Sequence, residues 1–578
     1  MAKSQFSAVA LGAAMLAAAG ALAGCSGREG TSNTAAPASC AGDNGGLTLP
    51  PGFCATIFAD NIGHARQMAI AEDGTVYVNT WSGPYYSNDQ PRVGGFIATL
   101  RDTDGDGQAD VNERFGPGVA DGSTGGTGIM LYKGWLYAEV KDRIVRWKRA
   151  PGTLLPTGAP ETIVQDLPTT GEHPMHQFII DKVGNLFVNV GSATNACEIK
   201  MGGREPKVLD PCTELETRAG IWKFAADKPG QRFSKEARYV TGVRNIGGMR
   251  LDDQDQLFVT QHGRDSLSQN WPALYTPDQG PELPAEELLM IKAGRDYGWP
   301  VCYFDGFQKK MVLAPEYGGD GGKAVGVCAS KEPPVAFFPG HWAPNDLLFY
   351  RGGMFPAAYR NGAFIAFHGS WNRAPHPQAG FRLVFQPMVD GKASGDFLTF
   401  ADGFTGKARP DKDAYRPSGV AAGPDGALYV TDDTRGRIWR ITYQGPLDAA
   451  IAAAPAPVYA AEAAKERDVS ALPLPPGGTR EQLALGAKIF HGEAKGGTCS
   501  GCHGVEGAGG GMGSNLTTGK WLWGDGSPAA IAATVRSGVS QPRQGSGAMP
   551  PLGGVELDDE DVAAVSAYVW AIGHVGSL

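Results

Sequence analysis

Asp425-Gly426-Ala427-Leu428-Tyr429-Val430 is a turn followed by a short run of alternating apolar and aromatic residues. The same pattern recurs at residues 73–78, 133–137, 184–188, 255–259 and 361–365. Each copy is typical of a hairpin turn that leads into a half-buried strand. The irregular spacing argues against a solenoid and favours propeller blades with inserted loops. We therefore predict a mainly β fold, a six-bladed β-propeller, and regard coincidental hairpins in a sandwich as the weaker alternative.

The length and composition indicate a folded protein with more than one domain. The chain has 578 residues, of which 42% are hydrophobic and 19% are charged, so it can bury sizeable cores. Its 83 Gly and 41 Pro fit many turns between short strands. The net charge of −9 argues against nucleic acid as a partner, because neutralising phosphates requires a basic patch.

Residues 1–24 resemble a bacterial lipoprotein signal peptide. An apolar run that is too short to span a bilayer ends in Leu22-Ala23-Gly24-Cys25, which predicts acylation of Cys25. An ordinary secretory signal with an incidental cysteine is the alternative. Ser26 stands where an Asp commonly retains lipoproteins at the inner membrane, which favours the outer membrane. With residues 25–46 as a flexible tether, we expect a periplasmic protein anchored to the membrane.

Six of the nine cysteines form three pairs of sequence neighbours. An oxidising compartment would allow disulfides between them, although six cysteines permit 15 pairings. Pairing by proximity predicts Cys40–Cys54, Cys197–Cys212 and Cys302–Cys328.

Residues 102–113 match the calcium-loop pattern D-x-D-x-D-G-x5-E. The pattern places hard oxygen ligands at alternate positions, and Gly107 allows the sharp turn between them. The flanking segments lack the pattern of paired amphipathic helices, so we predict a structural Ca²⁺ clip in a blade loop rather than a solvated acidic turn. The predicted ligands are Asp102, Asp104, Asp106, Gln108, Asp110 and Glu113.

The C-terminal part of the chain predicts a small all-α cytochrome c domain. Residues 446–478 are rich in Ala and Pro and are typical of a semi-rigid linker, which leaves residues 479–578 for this domain. Cys499-Ser500-Gly501-Cys502-His503 is the attachment signature of a c-type haem. Two thioethers, from Cys499 and Cys502, would hold the porphyrin, and His503 would bind the iron.

Helical periodicity is present over residues 479–491 and 558–572, on either side of the predicted haem site. Met549 lies between these segments and is the predicted second axial ligand, because Met with His raises the iron potential. Met512 is the competing candidate, although it is close to His503 in the sequence. The order of these features resembles a class I cytochrome c.

Within residues 47–445, an ordered set of motifs resembles the soluble glucose/sorbosone dehydrogenase family. Members of this family are six-bladed propellers that use pyrroloquinoline quinone (PQQ) and Ca²⁺. The motifs include Gly171-Glu172-His173, Gly242-Val243-Arg244-Asn245, Thr260-Gln261-His262-Gly263-Arg264-Asp265, Phe367-His368-Gly369-Ser370-Trp371-Asn372-Arg373 and Tyr415-Arg416-Pro417-Ser418-Gly419.

This resemblance implies roles for individual residues. His173 would be the catalytic base and Glu172 would orient it, with His176 as the competing base. Ser418 stands where well-known members carry a second arginine. The implied cofactor contacts are Arg244, Asn245, Arg373 and Arg416, and the carbonyls of Gly263 and Arg264 would bind the Ca²⁺ of the cofactor site.

Together these features predict a cytochrome-linked dehydrogenase. It would oxidise an aldose or a sorbosone-like aldehyde by hydride transfer to PQQ and pass electrons to haem c. The electrons would then reach an external cytochrome, a quinone or a terminal oxidase. A propeller binding module tethered to a cytochrome is the alternative, because one fold hosts many functions. A metal-dependent hydrolase is a third hypothesis, which gives no reason for the haem.

Overall fold

The computed structural model describes residues 40, 42–80, 93–116, 126–200, 204–374, 376–408, 410, 414–458, 468–497, 499–504, 506–509, 513–539, 543 and 549–575. The predicted signal peptide, the predicted acylation site at Cys25, nearly all of the tether before residue 42 and the competing ligand Met512 lie outside the described residues. Within the described ranges, no helix combines the length and the apolar character needed to cross a bilayer.

Six sheets form the propeller, and neighbouring strands in them are antiparallel except for the short pair of β13 with β9. Blade 1 contains β2 (Ala65–Ile70), β3 (Val76–Thr80), β4 (Ile97–Arg101) and β5 (Val111–Phe115). Blade 2 contains β6 (Ile129–Tyr132), β7 (Trp135–Val140), β8 (Arg143–Lys148) and β9 (Thr157–Gln165), extended by β13 (Gln231–Arg232). Blade 3 contains β10 (Phe178–Ile180), β11 (Asn185–Val190), β12 (Gly220–Ala225) and β14 (Arg238–Thr241).

The second half of the propeller repeats this arrangement. Blade 4 contains β15 (Ile246–Leu251), β16 (Leu257–Gln261), β17 (Glu286–Met290) and β20 (Ala336–Phe338), with an inserted hairpin of β18 (Cys302–Asp305) and β19 (Lys310–Leu313). Blade 5 contains β21 (Pro344–Phe349), β22 (Gly362–Phe367), β23 (Arg382–Val389), β24 (Lys392–Ala393) and β25 (Leu398–Ala401). Blade 6 contains β26 (Pro417–Ala422), β27 (Leu428–Asp432) and β28 (Ile438–Tyr443), completed by β1 (Phe53–Ala59).

The blades close into a ring. The first strands of successive blades contact one another all the way around, from β2 to β26 and back to β2. Strand β1, from the N-terminal end of the domain, pairs antiparallel with β28, from its C-terminal end. This pairing joins the two ends of the domain in one sheet, which closes the propeller.

The six turn-and-strand patterns found in the sequence have one structural role. Each is the second strand of a different blade, namely β3, β7, β11, β16, β22 and β27. Their side chains are almost all buried, and not half-buried as predicted, because these strands lie between two others. The prediction of a six-bladed propeller is confirmed.

The three predicted disulfides are confirmed. Cys40–Cys54, Cys197–Cys212 and Cys302–Cys328 are bonded, with Cα atoms 5.4, 6.0 and 5.8 Å apart. The first pair ties the start of the domain to β1, and the third holds the inserted hairpin of blade 4.

The C-terminal domain is helical, as predicted. Besides the short α1 (Leu267–Asn270) in the propeller, the helices are α2 (Arg480–His491), α3 (Cys499–His503), α4 (Pro528–Ser537) and α5 (Asp559–Gly573). A capping box at Thr479 starts α2, and another at Asp558 starts α5. Helices α2 and α5 cross closely at Gly486, where an added Cβ would lie 2.0 Å from the carbonyl oxygen of Ala564.

Candidate active site and haem-binding motif

The polar motifs meet at one end of the propeller. Because adjacent strands are antiparallel, the loops before the first strands and those after the second strands lie on the same side. Most of the predicted site residues come from these loops, and the side chains there are largely buried. They are His173 before β10, Arg244 and Asn245 before β15, Gly263 and Arg264 after β16, Arg373 after β22 and Arg416 before β26.

His173 is held by the loop after β11. Its Nδ1 lies 2.9 Å from the carbonyl oxygen and 3.1 Å from Oγ of Ser192. Because a carbonyl oxygen only accepts, Nδ1 carries the proton and Nε2 keeps its lone pair. Burial and the charge of Arg244 hold the pKa of His173 well below its ordinary value. The ring is therefore a neutral imidazole at physiological pH, the form that a general base requires.

His176, the competing base, is wholly buried and fully engaged. Its Nδ1 lies 3.1 Å from Oε1 of Glu139, and its Nε2 lies 3.0 Å from the carbonyl oxygen of Pro168. Glu139 also accepts from the main-chain nitrogens of Thr127 and Gly128. His176 thus ties the loops of blades 2 and 3 together, and both of its ring nitrogens face structural acceptors.

Arg244 is at the centre of a charged network. Its guanidinium donates to Oδ1 of Asn195 and to Oδ2 of Asp265, both at 3.0 Å. Oε2 of Glu172 lies 3.7 Å from Nη2 of Arg244. Burial raises the pKa of Glu172 to about 7, although the charge of Arg244 opposes the shift. The structure thus places Glu172 beside Arg244 and shows Ser192 orienting His173.

One of the two carbonyl groups predicted to bind calcium, that of Gly263, belongs to the same network. Arg244 donates from Nη1 to the carbonyl oxygen of Gly263 at 2.8 Å. The side chain of Arg264 pairs with Glu316 in the interior, 2.5 Å apart. Two buried carboxylates support this loop from β17: Glu286 accepts from the nitrogen of Gly263, and Glu287 accepts from Gln261 on β16.

A second cluster lies around Asp433, which follows β27. Its carboxylate pairs with Arg66 from β2 and with Nε2 of His368 at 2.8 Å. Nδ1 of His368 lies 3.2 Å from Nη1 of Arg416. Although burial raises the pKa of Asp433, His368 and Arg66 outweigh this effect and hold it far below its ordinary value. An ionised carboxylate therefore organises three basic side chains here.

Arg373 has partners on the propeller itself. It donates from Nη1 to the carbonyl oxygens of Pro281 and Gly340 and from Nη2 to Glu282. Its Nε is buried without a hydrogen-bond partner. Most of the N–H groups of Arg373 therefore anchor its own loop to the two loops that contain these partners. The predicted contact of Arg373 with PQQ rests on the resemblance alone.

The residues around His173 fit an anionic, polar cofactor such as PQQ. Oδ1 of Asn245 is buried without a hydrogen-bond partner. Gly191 keeps the space beside it open, because an added Cβ would lie 2.5 Å from the Cβ of His173 and 3.1 Å from that oxygen. Arg244, which is buried, and Arg416, which is half-buried, add positive charge at this end of the propeller. Buried cations and an unsatisfied amide suit a planar ligand that carries carboxylates and carbonyls.

The haem-attachment segment also fits its predicted ligand. Cys499 and Cys502 are free and follow one another on α3. Nδ1 of His503 lies 2.8 Å from the carbonyl oxygen of Ser514, so it donates there and leaves Nε2 for iron. Met549 is fixed by two main-chain hydrogen bonds with Val539 and packs against the domain core. Hydrogen bonds thus hold the ring of His503 and the main chain of Met549, the two predicted axial ligands.

The predicted calcium loop connects β4 to β5. Carboxylate oxygens of Asp102, Asp104 and Asp106 lie within 4.8 Å of one another. Gly107 has a φ of +87°, as the expected sharp turn requires. Of the remaining predicted ligands, Asp110 accepts hydrogen bonds from Thr103, Gln108 is exposed after the turn, and Glu113 is exposed on β5.

The sequence did not indicate several residues of the site. Ser192, Arg66 and Asp433 hold the candidate functional groups in place, yet each acts on a partner from another blade or another loop. Asp265, which belongs to a quoted motif but was assigned no role, holds Arg244. Asp433 comes three residues after the strand predicted over residues 425–430, and its place in blade 6 corresponds to that of His262 in blade 4. This position after a second strand was a signal that the sequence offered.

A six-bladed propeller with a cluster of buried polar side chains, followed by a cytochrome c domain, is the class that the fold and the motifs define. A family described as TrAA12-like matches residues 47–444, and one described as cytochrome c oxidase, cbb3-type, subunit III matches residues 481–569. The chain belongs to the TrAA12-like family.

Two proteins are related in sequence, one over most of this chain and the other over a shorter segment. An uncharacterised protein of Borreliella burgdorferi is 25% identical over 415 residues, which cover 69% of this chain and 91% of that protein. A pyrroloquinoline quinone-dependent pyranose dehydrogenase of Coprinopsis cinerea is 29% identical over 175 residues. That match covers 26% of this chain and 23% of the dehydrogenase.

Solved structures share the propeller fold. A calcium structure of a Trichoderma reesei protein of carbohydrate-active enzyme family AA12 has a TM-score of 0.54 at 17% identity, covering 69% of this chain and 97% of that one. The holo form of the PQQ domain of the Coprinopsis cinerea pyranose dehydrogenase has a TM-score of 0.52 at 19% identity, with coverages of 68% and 97%. At these identities the likeness shows the fold alone.

Proposed function

We propose that this protein oxidises an aldose or a sorbosone-like aldehyde with PQQ and Ca²⁺ and passes the electrons through its own haem c to an external acceptor. One observation carries the proposal. A neutral His173, held by Ser192, lies in a buried polar cluster with Arg244 and Asn245 in a chain that also carries a haem-attachment motif. A binding module tethered to a cytochrome would need neither the base nor the arginines.

His173 is the proton acceptor in this proposal. Its Nε2 lone pair can take the proton of a sugar hydroxyl, while Nδ1 stays bonded to Ser192. Because burial and Arg244 disfavour the charged ring, the imidazolium would release its proton readily and restore the base.

The other residues of the pocket bind and orient the cofactor. When bound, PQQ with Ca²⁺ supplies a hydride acceptor, and haem c supplies a carrier of single electrons. Arg244 and Arg416 can pair with carboxylates of the cofactor, and the amide of Asn245 can bond to a carbonyl. Arg244 would have to release the carbonyl oxygen of Gly263 for that oxygen, with the carbonyl of Arg264, to bind calcium.

Reconstitution tests the proposal directly. Purified protein is titrated with PQQ in a calorimeter, with and without Ca²⁺, and dye-linked turnover is then measured over aldoses, sorbosone and simple alcohols. We expect Ca²⁺-dependent binding and turnover on sugars. If no PQQ binds with Ca²⁺ present, the dehydrogenase proposal fails and the binding module gains support.

The cellular location is a separate proposal, supported by the sequence around Cys25. We propose a lipid anchor at this cysteine and a location in the periplasm at the outer membrane, where oxidised disulfides are stable. Changing Cys25→Ser should move the protein from the membrane fraction to the soluble periplasmic fraction. Continued attachment of the variant to membranes would contradict the anchor.

A further inference from the structure

The helix that carries the haem-attachment motif lies directly against the propeller. A Cβ atom added to Gly501 would be 1.9 Å from the carbonyl oxygen of Trp371 and 3.1 Å from its carbonyl carbon. Only a residue without a side chain allows this approach of backbone to backbone. Gly501 lies between Cys499 and Cys502, so the haem-attachment segment itself makes the contact.

Two further contacts join the same parts of the chain. At Gly492, which ends α2, an added Cβ would lie 2.5 Å from the Cβ of Ala374. Arg204 of the propeller pairs with Glu556, which precedes α5, at 2.6 Å. Both members of this pair are largely exposed, so the pair adds little stability by itself. The close contacts are those made by the two glycines.

The propeller side of this contact is also a wall of the candidate active site. Between Trp371 and Ala374 lies Asn372, whose Nδ2 donates to Oδ1 of Asp265 at 2.6 Å. The other carboxylate oxygen of Asp265 accepts from Arg244 at 3.0 Å. One short loop therefore contacts the haem-attachment segment through its backbone and the pocket through a side chain.

We propose that residues 370–374 are the docking seat of the cytochrome domain and that Gly501 and Gly492 are positioning residues that allow it to dock. The docked domain holds the haem-attachment segment beside the polar cluster of the candidate active site. The purpose of this docking, electron transfer, rests on the proposed function. Oxidation of one substrate hydroxyl releases two electrons, which would cross this contact singly. Each would reduce ferric haem to ferrous haem, and the external acceptor would reoxidise it.

Gly501→Ala and Gly501→Leu test the docking seat. Alanine is a better helix former than glycine, so an effect of Gly501→Ala cannot come from a weaker α3. Gly353→Ala is the matched control, because a Cβ added to this exposed propeller glycine meets nothing within 4 Å. The readouts are the radius of gyration by small-angle X-ray scattering and hydrogen exchange of residues 370–374.

Undocking should raise the radius of gyration and lower the exchange protection of this loop about 10-fold, more in Gly501→Leu than in Gly501→Ala. The control should match the wild type. Ala374→Leu, which leaves the haem motif intact, should reproduce the effect from the propeller side. If haem-loaded Gly501 variants and Ala374→Leu keep wild-type scattering and exchange, the docking seat is wrong.

A kinetic readout separates this inference from the proposed function. In wild-type and Gly501→Leu holoprotein, the rate of haem reduction by sugar is divided by the dye-linked turnover of the same preparation. We expect this ratio to fall about 10-fold or more in the variant. If the radius of gyration rises while the ratio of haem reduction to dye-linked turnover stays unchanged, docking does not serve electron transfer. If the wild type oxidises no sugar, the proposed function fails while the docking measurements still stand.

Discussion

Nδ1 of His173 lies 2.9 Å from the main-chain carbonyl oxygen of Ser192, and this bond fixes which ring nitrogen carries the proton. Ser192 follows β11, the second strand of blade 3, and His173 precedes the first strand of the same blade. The blade thus holds its own candidate base in the tautomer that leaves a lone pair on Nε2. Since the partner is a main-chain group, substitutions at position 192 can alter this bond only indirectly.

Changing His173→Ala should slow quinone reduction by about 10²–10⁴-fold, the usual cost of losing a positioned general base. Stopped-flow measurement of the bound quinone isolates this step from later electron transfer. Cofactor binding and the haem spectrum should survive, because Arg244, Asn245, Arg416 and the cytochrome domain are unchanged.

His176→Ala is the control for this substitution. It should lower the midpoint of thermal unfolding, because it removes the ring contact with Glu139 and leaves the carbonyl oxygen of Pro168 without the ring as its partner. The main-chain nitrogen of residue 176 still donates to Oε1 of Glu139. Quinone reduction at the wild-type rate in His173→Ala, with a slow rate in folded His176→Ala, would reverse the assignment of the base.

Burial lowers the pKa of His173 most, and the charge of Arg244 lowers it further. Arg244 lowers the pKa of His173, so Arg244→Gln should raise that pKa toward its ordinary value of 6.5. In the wild type the base form persists on acidification from pH 8 to about 6, so His173 should not limit the rate there. Imidazole NMR of the cofactor-free protein measures both titrations, and protonation of wild-type His173 near pH 6.5 would contradict the structure.

Met549→Ala should abolish the absorption band that indicates methionine ligation of ferric haem, and it should lower the reduction potential. The haem itself should stay covalently attached through Cys499 and Cys502. Met512→Ala is the matched variant and should keep the band. Loss of the band in Met512→Ala alone would identify Met512 as the ligand.

Calcium removal should destabilise blade 1 if residues 102–113 bind the ion. Chelation should lower the midpoint of thermal unfolding, and Asp104→Asn should reduce the difference between the chelated and the Ca²⁺-loaded protein. Asp104 suits this test because its carboxylate belongs to the three-residue cluster and is exposed. An equal response to chelation in wild type and variant would place the stabilising calcium elsewhere.

Much of the fold could be predicted because its signals are local. The second strand of each blade is a short run of alternating apolar and aromatic residues directly after a turn. This pattern made it possible to find β3, β7, β11, β16, β22 and β27 in the sequence. The helix expected over residues 479–491 is α2, whose N-cap is Thr479, and that expected over residues 558–572 is α5, shifted by one residue. The disulfides joined cysteines at most 26 residues apart.

The interior of the site could not be predicted in this way. Arg66 and Asp433 form an ion pair across 367 residues, and Asn372 reaches Asp265 across 107. The first contact depends on ring closure, which brings blades 1 and 6 together, and the second depends on the packing of blade 4 against blade 5. His176 shows the same limit, because its partners Glu139 and Pro168 belong to blade 2 and to the loop after it, and no local pattern marks them.

The central claim is that sugar oxidation in the propeller supplies electrons to the haem of the same chain. The most direct measurement adds an aldose to anaerobic protein that has been reconstituted with PQQ and Ca²⁺ and follows the haem absorption. The account predicts reduction of the one ferric haem in each chain to ferrous haem, and no reduction when PQQ is omitted. Haem that stays ferric in the presence of bound PQQ, Ca²⁺ and every aldose and sorbosone tested would contradict it.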